Sequence, residues 1–323
     1  MFRLLAQRML QGAAVLLVVS GVAFALFQFV GDPVSQMLPP DASAADREAL
    51  AAALGLNDSA FVQYVRFLGN AATGDFGLSL RHGAPVAGLI LERLPATAEL
   101  AGASVLLSLL IGIPVGVATA LHPKSPLSKL ALGATLLGMS LPTFLTGILL
   151  IMALSVMTGL LPAFGRGETV TLGFWTTGLL TVDGLKHLVL PTLTLGLFQT
   201  ALVVRLVRGE MLEVLRRDFI KFARARDLTR FRIAFAHAFR NASLPVISVS
   251  ALQFGEIVAF SVVTETVFQW PGMGMLFLQS VQFADIPVLA AYLTFIALLF
   301  VVINFITDLS HLAIDPRLRK EGA

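Results

Sequence analysis

Apolar residues run along the chain in six long stretches, near residues 9 to 30, 97 to 121, 131 to 157, 187 to 208, 246 to 269 and 287 to 312, with shorter polar segments between them. A helix needs about 20 mostly apolar residues to cross a bilayer core of about 30 Å, and each stretch reaches that length. The pattern therefore predicts an all-α integral membrane protein with six transmembrane helices. Arg3 and Arg8 precede the first stretch, and Ala23-Phe24-Ala25 imitates a signal-peptide cleavage site. The run is longer than a signal core and continues to Val30, which favours an uncleaved anchor.

The polar segments divide the chain further. Residues 1–30 form an N-terminal segment with the first span, 31–95 an external segment, 96–312 the transmembrane core and 313–323 a tail. In the external segment Ser43 and Asp46 mark a helix start, Gly55 a helix end, and Pro39-Pro40 and Gly74-Asp75-Phe76-Gly77 mark turns. Within the core, residues 209–245 form a long loop between the fourth and fifth spans. There "FIKFARARDL" (219–228) and "RFRIAFAHAF" (230–239) place apolar residues at helical spacing with basic ones between them. Two short helices are predicted, broken near Asp227-Leu228-Thr229.

Composition confirms the class. The 323 residues are 56% hydrophobic and only 13% charged, with a mean hydropathy of +0.84, too apolar for a soluble domain of this length. Cysteine is absent, which removes disulfides, thiolate metal sites and cysteine nucleophiles together. Net charge is only +3, so the placement of basic residues matters more than their total. Of 23 Lys and Arg, 17 lie in the N-terminal segment, the 122–130 loop, the 205–245 region and the tail. With six spans these four segments share one side, and basic residues resist translocation, so both termini and the arginine-rich loop are predicted to be cytoplasmic.

Taken alone, the loop's arginines fit an interfacial amphipathic segment that meets anionic headgroups. Nucleic acid is not an expected partner, because spans bracket the basic run.

"FARARDL" followed by "HAFRNASLP" resembles the cytoplasmic EAA-type loop of permease subunits in ATP-binding-cassette importers of the dipeptide, oligopeptide and nickel class. The resemblance runs nearly end to end. It includes Val30-Gly31-Asp32-Pro33, Gly74-Asp75-Phe76-Gly77-Leu78-Ser79, Glu92-Arg93-Leu94-Pro95-Ala96-Thr97-Ala98-Glu99-Leu100 and Leu141-Pro142-Thr143-Phe144. It continues through His187-Leu188-Val189-Leu190-Pro191, Glu265-Thr266-Val267-Phe268-Gln269-Trp270-Pro271-Gly272-Met273-Gly274 and Asp315-Pro316-Arg317. Each motif is weak by itself; their order and spacing make the match specific.

The resemblance implies a chain that forms half of a translocation pathway in the bacterial inner membrane, beside a second permease, two ATPase subunits or domains and an external solute-binding protein. ATP and Mg would sit on the ATPases, with no cofactor on this chain and no catalysis by it. The coupling surface carried over comprises Lys221, Phe222, Ala223, Arg224, Ala225, Arg226, Asp227, Leu228, His237, Arg240 and Asn241. Ala223 and Ala225 would allow close approach, while Arg224 and Arg226 would bond acidic or carbonyl groups of the partner. The chain departs from the family at Lys221 and Phe222, where acidic and alanine residues are usual, and at Asp227, where glycine is usual. Cargoes among such relatives include peptides, nickel chelates, opines, glutathione and oligosaccharides.

The remaining chemistry is sparse. Lys124-Ser125 lacks the upstream glycines of a phosphate loop, so ATP hydrolysis belongs elsewhere. The five histidines, His82, His122, His187, His237 and His311, are scattered with no i, i+4 pair, and no metal site is expected. Charged residues in spans are costly and therefore informative. Glu99, Glu265 and above all Glu256, in "LQFGEIVAFSVV", are the pathway candidates. Glu99, close to an external helix end, fits a headgroup-level or loop-bonded carboxylate better than a pathway group, and Glu256 equally fits one paired inside the bundle or protonated by burial. A proton-coupled secondary transporter using Glu256 or Glu265 is the alternative function, although no inverted repeat is evident. An intramembrane protease would need a nucleophile beside a base, and no such arrangement stands out.

Overall fold

Leu141 and Pro142 break the third apolar stretch. A proline lacks the N–H that continues a helix and pushes the residue before it out of the α region; Leu141 lies at φ −84°, ψ 130°. In the computed structural model, which describes residues 2–29, 34, 38, 42–53 and 56–314, the stretch is two helices bent by 105°. They are α5 (Pro126–Ser140) and α6 (Thr143–Leu150), the latter continued by a π-helical turn over Ile151–Val156. The other elements before it are α1 (Phe2–Phe29), α2 (Ala44–Ala53), α3 (Ala60–Thr73) and α4 (Val86–Leu121). After it come the antiparallel hairpin β1 (Val170–Leu172) and β2 (Trp175–Thr177), then α7 (Val182–Val214) and α8 (Asp218–Ala225). Next, α9 (Arg230–Arg232) runs through a π-helical stretch (Ile233–Phe239) into α10 (Arg240–Phe260). The last described elements are α11 (Val262–Val267), α12 (Met273–Gln282) and α13 (Ile286–Ile314).

Among the described residues, five helices are long and apolar enough to span a membrane, and the bent pair makes a sixth. The expected spans thus exist, with two corrections. The third is not straight. The fifth, expected over 246 to 269, covers Ile233–Phe260 instead, because the second basic segment does not stop as a separate helix but continues into it. Val30-Gly31-Asp32-Pro33, Pro39-Pro40, Gly55 and Asp315-Pro316-Arg317 lie outside the described residues.

The chain divides into two compact units. In the unit of residues 1–94 and 275–302, the start of α2 is the expected reciprocal cap. The Asp46 amide donates to Ser43 Oγ at 3.1 Å, and the Ser43 hydroxyl donates to Asp46 Oδ2 at 2.6 Å. Gly74 and Gly77 take φ of 77° and 78° in the expected turn. Tyr64 of α3 donates to the Leu17 carbonyl of α1 at 2.9 Å, and a Cβ on Gly12 would stand 2.7 Å from Val301 Cγ1. Asp285, fully buried, accepts from the Ser79 hydroxyl and from the Leu80 amide at 3.2 Å.

In the unit of residues 95–274 and 303–323, α4 and α7 approach closely through small residues. Cβ atoms on Gly112 and Gly116 would each stand 2.7 Å from Val203 Cγ1 and Val207 Cβ, respectively. Where lipid tails are as apolar as leucine, such backbone approach is what holds helices together. Val203, Val207 and Met211 of α7 form one core with Ile220, Ile233 and Ala242. This core fixes the long loop to the spans.

Candidate functional site

Helix α8 is short but well marked. Asp218 lies in its first turn and Arg224 in its last, both favourable to the helix dipole. Ile220 and Ala223, three residues apart, are buried in the core beside Met211 and Val214. The opposite face is open: Phe219 is 45% exposed and Phe222 65%, with Lys221, Arg224, Ala225 and Arg226 also exposed. The Arg226 guanidinium sits 5.9 Å from the Phe222 ring centre. Two phenylalanines on the outer face of a polar helix form a patch that a lone chain leaves unburied.

The helix ends at Asp227, which takes φ 52°. The Leu228 amide donates to Ala223 O at 3.4 Å and the Asp227 amide to Arg224 O at 3.0 Å. This pair of bonds is the Schellman motif, which glycine favours because it has no Cβ. Aspartate is among the few other residues that enter the left-handed region, so the turn keeps its geometry without the glycine. Asp227→Gly should therefore change thermal stability by less than about 1 kcal/mol, whereas Asp227→Val should cost about 1–2 kcal/mol. A melting series of the purified chain in detergent checks both.

Leu228 is half-buried against the core. Beyond it Ile233, Ala234 and Ala238 face inward, while Phe231 is 74% exposed and its ring centre lies 4.7 Å from that of Phe235. His237 is half-buried and its carbonyl accepts from Asn241 Nδ2 at 2.6 Å; Arg240 and Asn241 are exposed. An open recess of about 490 Å3 lies inside the turn, lined by Leu121, His122, Leu215, Arg224, Asp227 and Ile233. The structure thus brings the expected coupling residues into one region, with Ala223 on its inner side.

The three candidate carboxylates part company. Glu99 is buried and pairs with Arg166 at 2.7 Å, also accepting from Trp175 Nε1 at 3.1 Å and the Gly178 amide at 3.4 Å. Arg166 in turn donates to Thr176 Oγ1 at 3.0 Å. Glu265, fully buried, accepts from the Thr97 hydroxyl at 2.7 Å and the Ser261 hydroxyl at 2.8 Å. Trp270 Nε1 donates to Ala96 O at 2.9 Å, and the Met273 amide to Thr97 Oγ1 at 2.8 Å. A single turn of α4, Ala96 to Glu99, therefore holds both the 166–178 loop and the 265–273 loop. Gly272 leaves room for this: a Cβ there would stand 2.5 Å from the Glu265 carboxyl carbon.

Glu256 differs from both. It is exposed on α10, one turn from Leu252 (38% exposed) and from Phe260 (76% exposed). Sequence reasoning missed Arg166 as the partner of Glu99; its place between Gly165 and Gly167, at φ 83° and 69°, was the available signal of a charged residue set in a turn.

The chain as a whole resembles known proteins. The family described as "Binding-protein-dependent transport system inner membrane component" matches residues 112–320, and its N-terminal counterpart matches residues 1–101. The chain is 40% identical over 317 residues to the oligopeptide transport system permease protein AppB of Bacillus subtilis, covering 97% of this chain and 98% of that one. It is 35% identical over 319 residues to the dipeptide transport system permease protein DppB of Escherichia coli K12, covering 93% and 94%. The di/tripeptide transport system permease protein DppB of Pseudomonas aeruginosa is 35% identical over 314 residues, with the same coverage. Among solved structures, a chain of the inward-facing MetNI methionine ABC transporter superposes with a TM-score of 0.56 at 19% identity, over 70% of this chain and 96% of that one. That likeness concerns the fold.

Proposed function

We propose a working mechanism from the premise that the chain belongs to the family of binding-protein-dependent transport system inner membrane components. The chain forms half of a translocation pathway and is driven by separate ATPase subunits, which carry ATP and Mg, while a second permease completes the pathway and an external binding protein delivers cargo. The observation that carries this reading is the outer face of α8, where Phe219, Phe222, Ala225 and Arg226 stand open while Ile220 and Ala223 lock the helix to the core. A short helix held rigidly on one side and bare on the other suits a lever: closure of the docked ATPases moves α8, and the shared core passes the movement to α4, α7 and α10.

The basic loops and both termini face the cytoplasm in this reading, and residues 31–95 face outward toward the binding protein. Within the chain, 96–312 is the core, 209–245 the coupling loop and 313–323 the tail. No reaction is catalysed here; Glu99 and Glu265 brace loops rather than transfer protons, as their hydrogen-bond partners indicate.

The cargo is a short peptide, by the names of the relatives at 35 to 40% identity. Glu256, exposed on a span, faces the pathway and meets the peptide's ammonium group. Glu256→Gln is expected to raise the KM for free-amine peptides by about tenfold, equivalent to one charge-assisted hydrogen bond, and to leave N-acetylated peptides unchanged. Equal KM values for both substrate classes would remove Glu256 from the pathway.

Reconstituted proteoliposomes test the whole reading. Labelled dipeptide uptake should require binding protein, ATP and the ATPase subunits together; uptake driven by a proton gradient in this chain alone would instead establish the secondary-transporter alternative.

A further inference from the structure

Arg205 and Arg208 lie one turn apart on α7, outside the coupling loop. Neither makes an ion pair among the described residues. Arg205 Nη1 reaches only the Met139 sulfur, at 3.4 Å, and Arg208 Nε is buried without a hydrogen-bond partner. Both line a recess of about 220 Å3 between α5 and α7, whose other walls include Leu132, Leu136, Leu212 and the hydroxyl-bearing Thr135. A buried guanidinium N–H left unsatisfied is costly, and two neighbouring arginines repel each other unless an anion lies between them. The recess therefore offers two guanidiniums, the exposed one of Arg205 and the half-buried one of Arg208, bordered by three leucines, while the Thr135 hydroxyl already donates to the Leu132 carbonyl at 2.7 Å.

We infer that this recess binds the phosphodiester headgroup of an anionic membrane lipid, its acyl chains lying along Leu132, Leu136 and Leu212. Charge and apolarity select this occupant together. A free phosphate would leave the leucines uncovered, and a neutral lipid would leave the arginines uncompensated. Position agrees as well. The recess lies near the end of the fourth span closest to the basic loop, which is the inner headgroup level in the orientation proposed above, and basic pockets between spans on that side suit anionic lipids. Bound there, the lipid would bridge α5, the first limb of the bent third span, to the helix that leads into the coupling loop.

The inference rests on that orientation, and the two can fail separately. The chain has no cysteine, so a Ser125→Cys chain labelled only from outside the cell would overturn the orientation, while lipid binding measured in detergent has no sides. For the site itself, the assembled transporter purified in neutral detergent is titrated with phosphatidylglycerol or phosphatidylcholine, and retained lipid is counted by native mass spectrometry. Phosphatidylglycerol should bind more tightly, and Arg205→Gln with Arg208→Gln should weaken it by roughly thirtyfold. The control pair Lys124→Gln with Lys129→Gln, which removes equal charge from the same side, should not. An unchanged affinity in the arginine variant, or an equal loss in the lysine control, overturns the site. So does displacement of the lipid by inorganic phosphate alone, which would make the recess a phosphate site. Should the double variant fail to assemble, Arg208→Lys decides: it keeps the charge but loses the Nε donor, and an undiminished affinity for phosphatidylglycerol rejects the geometry.

Discussion

An Arg166→Met chain is expected to lose about 3–5 kcal/mol of stability, because it strands the Glu99 carboxylate in a buried site. The Arg166 and Glu99 side chains are only 8% and 4% exposed. Removing the guanidinium leaves the charge with the Trp175 indole and a long contact to the Gly178 amide as its remaining donors among the described residues. Glu99→Leu combined with Arg166→Met should recover most of the loss, since an apolar pair of similar volume carries no desolvation cost. Thermal unfolding of the purified chain in detergent reads both. A single variant as stable as the parent would mean that water reaches the site and the loop is not braced as described. The consequence for function is indirect: Glu99 shares a helical turn with Thr97 and Ala96, which hold the 265–273 loop, so loosening one side of α4 removes a fixed point for the other.

Coupling carries the second large effect. Phe222→Ala with Arg226→Glu is expected to lower ATP-dependent uptake by at least about a hundredfold. Large aromatic and arginine anchors on a small docking face typically account for about 2–4 kcal/mol each when truncated, and a reversed charge adds repulsion against an acidic partner. Neither side chain is buried in this chain, so its melting temperature should stay within about 1 °C of the parent. The reverse pattern is expected of Ile220→Asp, which strikes the core beneath the helix and should unfold the loop. The contrast between an exposed pair that abolishes transport and a buried residue that abolishes folding separates docking from scaffolding.

The spans were legible because lipid imposes a demand that composition alone can meet: some 20 apolar residues in a row. Their ends were less so. Leu-Pro occurs at 94, 141, 161, 190 and 244, yet Pro95, Pro191 and Pro245 sit inside helices while Leu141 and Pro142 stand between two. The dipeptide is the same; neighbouring helices decide whether the freed backbone is satisfied in place or the chain turns. The fifth span was misplaced for a related reason, since the basic residues between 230 and 240 read as a separate short helix outside the membrane, although their apolar partners Ile233, Ala234 and Ala238 carry that helix into the core and on into the span. The left-handed turn at Asp227 was foreseeable from the resemblance, which set glycine there. Glu99 and Glu265 stood out as charges in apolar surroundings, but their partners did not. Arg166 lies 67 residues from Glu99 and Thr97 lies 168 from Glu265, and no local period records such pairings. Burial was equally hidden: Ala223 and Ala225 look alike in sequence, and only the packing of α8 turns the first inward and leaves the second free.

The central claim is that the exposed face of α8 is where an ATPase docks. It is tested most directly by purifying the tagged chain from its native membrane in mild detergent, beside an Arg224→Glu, Arg226→Glu variant, and identifying the co-purified proteins by mass. The account predicts an ATPase subunit and a second permease with the parent chain, and loss of the ATPase alone with the variant. An ATPase retained by a stably folded variant, or absent from both, would contradict it.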